Sequence, residues 1–138
     1  MVHRIAHIGI AVKDLDAARS LFETLLKIPV SHTEHVEKDH VDVCSIPVDG
    51  TNIELTAGTA PDSPISRFIE KRGEGIHHIA FEVDDIHAEL ARLTEAGITL
   101  IDQIPRLGAD GYLVAFVHPK SAGGVLVELS QKESAHGS

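Results

Sequence analysis

Two segments of this chain read almost alike, 71 residues apart: His7-Ile8-Gly9-Ile10-Ala11-Val12-Lys13-Asp14-Leu15 and His78-Ile79-Ala80-Phe81-Glu82-Val83-Asp84-Asp85-Ile86 align without a gap. Each opens with a histidine at the head of an apolar run, passes through an acidic turn and enters a helical pattern. A second echo lies 74 residues apart, between Ile53-Glu54-Leu55 and Val127-Glu128-Leu129. A chain that repeats its pattern in this way builds one supersecondary unit twice. Each half then supplies one His and one Glu. A duplicated fold with a pseudo-two-fold axis gathers them into an N₂O₂ set suited to a divalent metal.

The spacing of apolar residues predicts the unit. Arg4 to Val12 is rich in Ile, Val and Ala and reads as a buried strand. From Asp14 to Lys27 the period changes, with Leu15, Ala18, Leu21, Phe22, Leu25 and Leu26 on one helical face and Asp14 or Asp16 as cap. Val41 to Ile46 alternates, with Val41, Val43 and Ser45 on one face and Asp42, Cys44 and Ile46 on the other. Asp49-Gly50 then turns the chain into Thr51 to Thr56. Ser63-Pro64 opens a short helix to Arg72. The second half repeats the order: strand Ile76–Val83, helix Ile86–Ala96 closed by Gly97, strands Ile98–Gln103, Tyr112–His118 and Val125–Ser130. The expected class is α+β, with two tandem βαβββ modules forming a curved mixed sheet around a metal-binding cleft. A single domain over 1–138 divides into modules 4–57 and 76–131, a connection 58–75 and a polar tail 132–138.

Composition narrows the partners. A formal charge of -9 disfavours nucleic acid and anionic membranes, which need a basic patch. One cysteine, Cys44, forms neither an internal disulfide nor a thiolate cluster, and reads as a small buried apolar residue. No apolar stretch reaches membrane-spanning length and no cleavable signal opens the chain, so a cytoplasmic protein is expected. His32, His35, His40 and the tail residue His136 read as solvated.

The segments Gly73 to Ile86 and Phe116 to Leu129, with Asp62-Ser63-Pro64-Ile65 and Pro105-Arg106-Leu107-Gly108, carry a family signal. They resemble the methylmalonyl-CoA epimerase family of the vicinal oxygen chelate (glyoxalase-like) superfamily. The resemblance extends from residue 4 to 131. It implies metal ligation by His7, His78 and Glu128, with Glu54 as fourth ligand where bacterial members often have Gln. It also implies a divalent ion (Co, Mn, Ni, Zn or Mg), a homodimer, a role in propionate metabolism, and interconversion of (R)- and (S)-methylmalonyl-CoA by C2 proton abstraction and return through an enolate. Some bacterial members place a catalytic Glu at the register of Val43, which carries no proton here. Glu54 and Glu128 are therefore the preferred proton-transfer pair.

Blander readings stand beside these. A lone strand histidine is more often a packed residue than a ligand, and His77, alternating away from His78, is expected to pack or face solvent. Lys120 is a candidate substrate-binding cation for the CoA phosphates or the substrate carboxylate, although Pro119 and Gly123-Gly124 alone account for a tight turn. Arg67, Lys71 and Arg72 read as a solvated helix face, and Gly108–Gly111 as a loop. Two other functions fit the fold. Glyoxalase I uses a similar His/Glu/His/Glu set, and Glu54 suits it; a metal-independent antibiotic-binding protein needs no complete ligand set.

Overall fold

The computed structural model describes residues 1–108 and 111–133. The end of the polar tail, with His136, and the centre of the Gly108–Gly111 loop lie outside the described residues. Strand β1 (Val2–Ala11) is shared between two compact units. Residues 7–77 make up one of them. Met1–Ala6 and the chain from His78 onward make up the other.

In the unit of residues 7–77, β1 hands over to α1 (Leu15–Leu26) at Asp14, whose carboxylate accepts the Ala17 N–H at 3.1 Å. Of the two candidate caps, Asp14 is the one used. Strands β2 (Glu34–Val36), β3 (Val41–Val48) and β4 (Thr51–Gly58) follow. Their order is β2-β3-β4-β1, with β4 antiparallel to β3 and parallel to β1. Asp49 and Gly50 take φ of 48° and 84°, the two left-handed positions that a tight hairpin turn requires. Strand β2 is a polar, largely exposed segment that no apolar alternation marks.

The alternation along β3 separates two helices. Cys44 and Ile46, with Leu55 and Ala57 of β4, bury against Leu15 and Ala18 of α1. Val41, with Ala11 of β1, buries against Ile65 of α2 (Pro64–Arg72), and Val43 and Phe68 pack on the same cluster. Helix α2 starts as its sequence predicts, with Ser63 accepting the Ile65 N–H at 3.2 Å and Pro64 in the first turn. His77 packs edge-on to Phe68 with ring centroids 4.9 Å apart, and burial pushes its pKa down. Burial likewise pushes the Cys44 thiol up, as its packing role implies.

In the other unit, Val2–Ala6 of β1 lies beside β5 (Gly75–Val83), and Arg4 pairs with Glu82. The strand order is β1-β5-β8-β7-β6. Asp85 caps α3 (Ile86–Glu95) by accepting the Ala88 N–H at 3.1 Å, and Gly97 follows with a left-handed φ of 83°. The strand expected over Ile98–Gln103 does not form. Only Leu100 bridges to Val117, and the Asp102 carboxylate accepts the Phe116 N–H at 2.8 Å, doing what a strand carbonyl would do. The edge strand is instead β6 (Arg106–Leu107), antiparallel to β7 (Tyr112–Val117). A 3-10 turn at Pro119–Ser121 leads to β8 (Leu126–Lys132), which is antiparallel to β7 and parallel to β5. Val83, Ile86, Leu90, Leu100, Ala115, Val117 and Leu129 form this unit's core. Fully burying a side chain such as Ile86 contributes about 1.5–3 kcal/mol. The β-α-β-β-β order therefore occurs twice, with the first of the three later strands shorter and displaced in each copy.

Candidate functional site

The two parallel strand pairs position the candidate ligands by register. In β1 and β4, His7 lies opposite Asn52 and Gly9 opposite Glu54. In β5 and β8, His78 lies opposite Leu126 and Ala80 opposite Glu128. In each pair the Glu faces the residue two places after the His. Because side chains alternate along a strand, the His and Glu of each unit share one face. That face is the one turned away from the larger core: Leu55 packs toward α1, while Val127 and Leu129 pack with the α3 core. The three-residue difference between the His-to-His and Glu-to-Glu spacings is taken up in the connecting loops, and the register is unchanged.

Within the unit of residues 7–77, His7 Nε2 and Glu54 Oε1 are 3.7 Å apart, with side chains 20% and 28% exposed. This separation is too long for a hydrogen bond. It is close to the spacing of two donors around one ion, since bonds of about 2.1 Å at ordinary coordination angles set donors about 3.0–3.4 Å apart. Ser45 lies directly across from Glu54 on β3, and Val43 across from Thr56. Val43 faces the same side but packs with the α2 cluster. Asp42 points the other way, where it bonds His35 Nδ1 at 2.7 Å.

In the other unit, His78 and Glu128 occupy the equivalent places, and Phe116 lies directly across from Glu128 on β7. Lys120 sits exposed in the turn between β7 and β8, its N–H donating to His118 Nδ1 at 3.1 Å. Sequence reasoning passed over one arrangement here. The Arg106 guanidinium lies 5.2 Å from the centroid of the Phe116 ring and reaches Asp102 Oδ2 at 3.5 Å. The signal was present as an Asp and Arg four residues apart, but it was masked by reading 98–103 as a strand.

Each unit thus carries one imidazole and one carboxylate, His7 with Glu54 and His78 with Glu128, donor types that fit a borderline or hard divalent cation. Two half-buried carboxylates on largely apolar strands also call for a compensating positive charge.

Residues 6–116 match the family model of the Glyoxalase/Bleomycin resistance protein/Dioxygenase superfamily, and the chain belongs to that superfamily. Within it the similarity is to epimerases acting on CoA thioesters. The ethylmalonyl-CoA/methylmalonyl-CoA epimerase of Cereibacter sphaeroides is 43% identical over 95% of this chain and 99% of its own length. Human mitochondrial methylmalonyl-CoA epimerase is 38% identical over 93% of this chain and 73% of its own length. Among solved structures, a variant of Streptomyces coelicolor methylmalonyl-CoA epimerase in complex with 2-nitronate-propionyl-CoA superposes with a TM-score of 0.80. It is 35% identical, with 97% of each chain covered.

Proposed function

We propose that this chain is an isomerase that interconverts (R)- and (S)-methylmalonyl-CoA. The observation that carries the reading is the repeated register of His7 with Glu54 and of His78 with Glu128, in a chain similar to epimerases over nearly its whole length. These four residues would hold one divalent ion, identity open among Co, Mn, Ni, Zn and Mg. Such an ion supplies Lewis acidity, which makes the C2 proton of a chelated thioester easier to remove.

The protein's own part is proton transfer. Inversion at C2 needs a group that takes the proton from one face and a group that returns one to the other. The repeat supplies two carboxylates, Glu54 and Glu128. One or both would leave the ion transiently to do so: one accepts the C2 proton and leaves an enolate; the other, protonated, delivers its proton to C2, and the roles exchange in the reverse direction. Val43 packs against hydrophobic neighbours and has no proton to give. Lys120, exposed in its turn, offers a cation to the anionic CoA moiety. The remainder of the reading is a cytoplasmic homodimer serving propionate metabolism. No described helix is long and apolar enough to cross a membrane, and the net charge of -9 argues against nucleic acid.

Glyoxalase I is the second reading, favoured by the carboxylate at Glu54 beside His7. Both substrates separate the two. Conversion of (R)-methylmalonyl-CoA to its epimer, with no turnover of the methylglyoxal–glutathione hemithioacetal, is the expected result. The opposite pattern overturns the epimerase reading, and a metal-free protein inert toward both favours sequestration.

A further inference from the structure

We propose that the Ser45 hydroxyl positions Glu54 for proton transfer, holding its carboxyl group when that group turns away from His7 and the ion. This role rests on the epimerase reading. Glu54 lies between two strands. On β1 it faces Gly9, which has no side chain to meet it, so on that side its carboxylate reaches His7, with Oε1 3.7 Å from Nε2. On β3 it faces the half-buried Ser45. The Ser45 backbone is turned from Glu54: its N–H donates to Ser31 Oγ at 2.8 Å and its carbonyl accepts the Ser31 N–H at 2.9 Å. In an antiparallel ladder, a residue whose backbone bonds point away from its partner belongs to the narrow kind of pair. Its α-carbon stands about 4.5 Å from the one opposite, and the two side chains come closest there. Directly opposed side chains share one face of the sheet. Ser45 Oγ and the Glu54 carboxyl group therefore start side by side, on the face that carries His7.

A carboxylate that serves both as ligand and as base needs two places, one beside the ion and one where it holds a proton. The second place needs a hydrogen-bond partner, because a half-buried polar group without one is costly. A serine hydroxyl suits both forms of the carboxyl group, donating to the carboxylate and accepting from the acid. The proton taken from C2 stays on Glu54, and Ser45 exchanges only its hydrogen-bond role. The two backbone bonds to Ser31 fix the strand beneath the hydroxyl while Glu54 turns. The second copy has a different pair of neighbours at this register. Across from Glu128 stand Ala80 on β5 and Phe116 on β7, neither of which carries a hydroxyl. The hydroxyl thus marks Glu54 as a carboxylate that moves.

Ser45→Thr and Ser45→Val introduce side chains that suit a strand, are alike in shape and differ by the hydroxyl. In the metal-loaded full chain, Ser45→Val is expected to lower kcat for methylmalonyl-CoA about 10- to 100-fold, the range for a hydrogen bond to a charged group, with KM little changed. Ser45→Thr should keep most of the rate. Zinc affinity, measured without substrate by competition with a chelator, should be no weaker in Ser45→Val, because the hydroxyl serves Glu54 only away from the ion. Added to Glu54→Gln, Ser45→Val should cost nothing further, since the two residues act as one unit. Equal kcat in the Thr and Val variants overturns the proposal. So does weaker zinc binding in Ser45→Val, or a full additional loss on top of Glu54→Gln. An unaltered protein that takes up divalent metal but leaves C2 of methylmalonyl-CoA unexchanged overturns the epimerase reading; an active enzyme indifferent to the hydroxyl overturns this proposal alone.

Discussion

Glu54 and Glu128 occupy equivalent register positions, yet their substitution should not be equivalent. If Glu128 is a ligand as proposed, Glu128→Ala removes it with nothing to replace it, so both metal retention and C2 proton exchange should be lost. Glu54→Gln keeps an oxygen donor while removing the ability to carry a proton. It should retain the metal, measured by elemental analysis after gel filtration, and lose about 10²–10⁴-fold in epimerisation rate, the usual worth of a general base. Full activity in Glu54→Gln excludes an essential base there. His35 makes a separate test. Hydrogen bonds that its ring donates to the carboxylates of Asp42 and then Glu37 raise its pKa above the ordinary 6.5. A raised histidine stabilises the fold below its unfolded value, and that contribution disappears as pH climbs through the folded value. The imidazole titration followed by NMR should therefore have its midpoint above 6.5 and fall back in Asp42→Asn. The shared register of His7 with Glu54 and of His78 with Glu128 was legible in the sequence because the repeat pairs them. The approach of Arg106 to the Phe116 ring was not, because it depends on a two-residue strand and an acidic side chain that bonds a neighbouring backbone.

At the scale of elements, helices were the most legible because their caps are chemical. Asp14 and Asp85 each accept an N–H of the first turn at 3.1 Å. Replacing either with Ala should cost about 1 kcal/mol in chemical denaturation. The caps share no partner, so the double variant should lose the sum within about 0.5 kcal/mol; a much larger or smaller loss would contradict their independence. The long strands were legible for a related reason, as β3 alternates between two helices and its sequence alternates with it. The short strands were not. Strand β2 is polar and spans three residues, and β6 spans two. In the stretch before β6, the apolar run Ile98-Thr99-Leu100-Ile101 makes one bridge, at Leu100, and then yields to the side-chain bond of Asp102. A pattern of hydrophobicity cannot reveal that a carboxylate will replace a carbonyl.

For the whole molecule, the central claim is that a duplicated βαβββ sequence carries a His and a Glu per copy in one register, and that these four side chains serve metal-assisted proton transfer at C2 of a malonyl thioester. The most direct test is deuterium incorporation at C2 of methylmalonyl-CoA in deuterated buffer, followed by mass spectrometry, with the protein as purified, after chelation and after return of a divalent metal. Exchange should proceed in the first case, stop in the second and recover in the third. Absence of exchange in the metal-loaded protein, or exchange untouched by complete removal of the metal, would contradict the account.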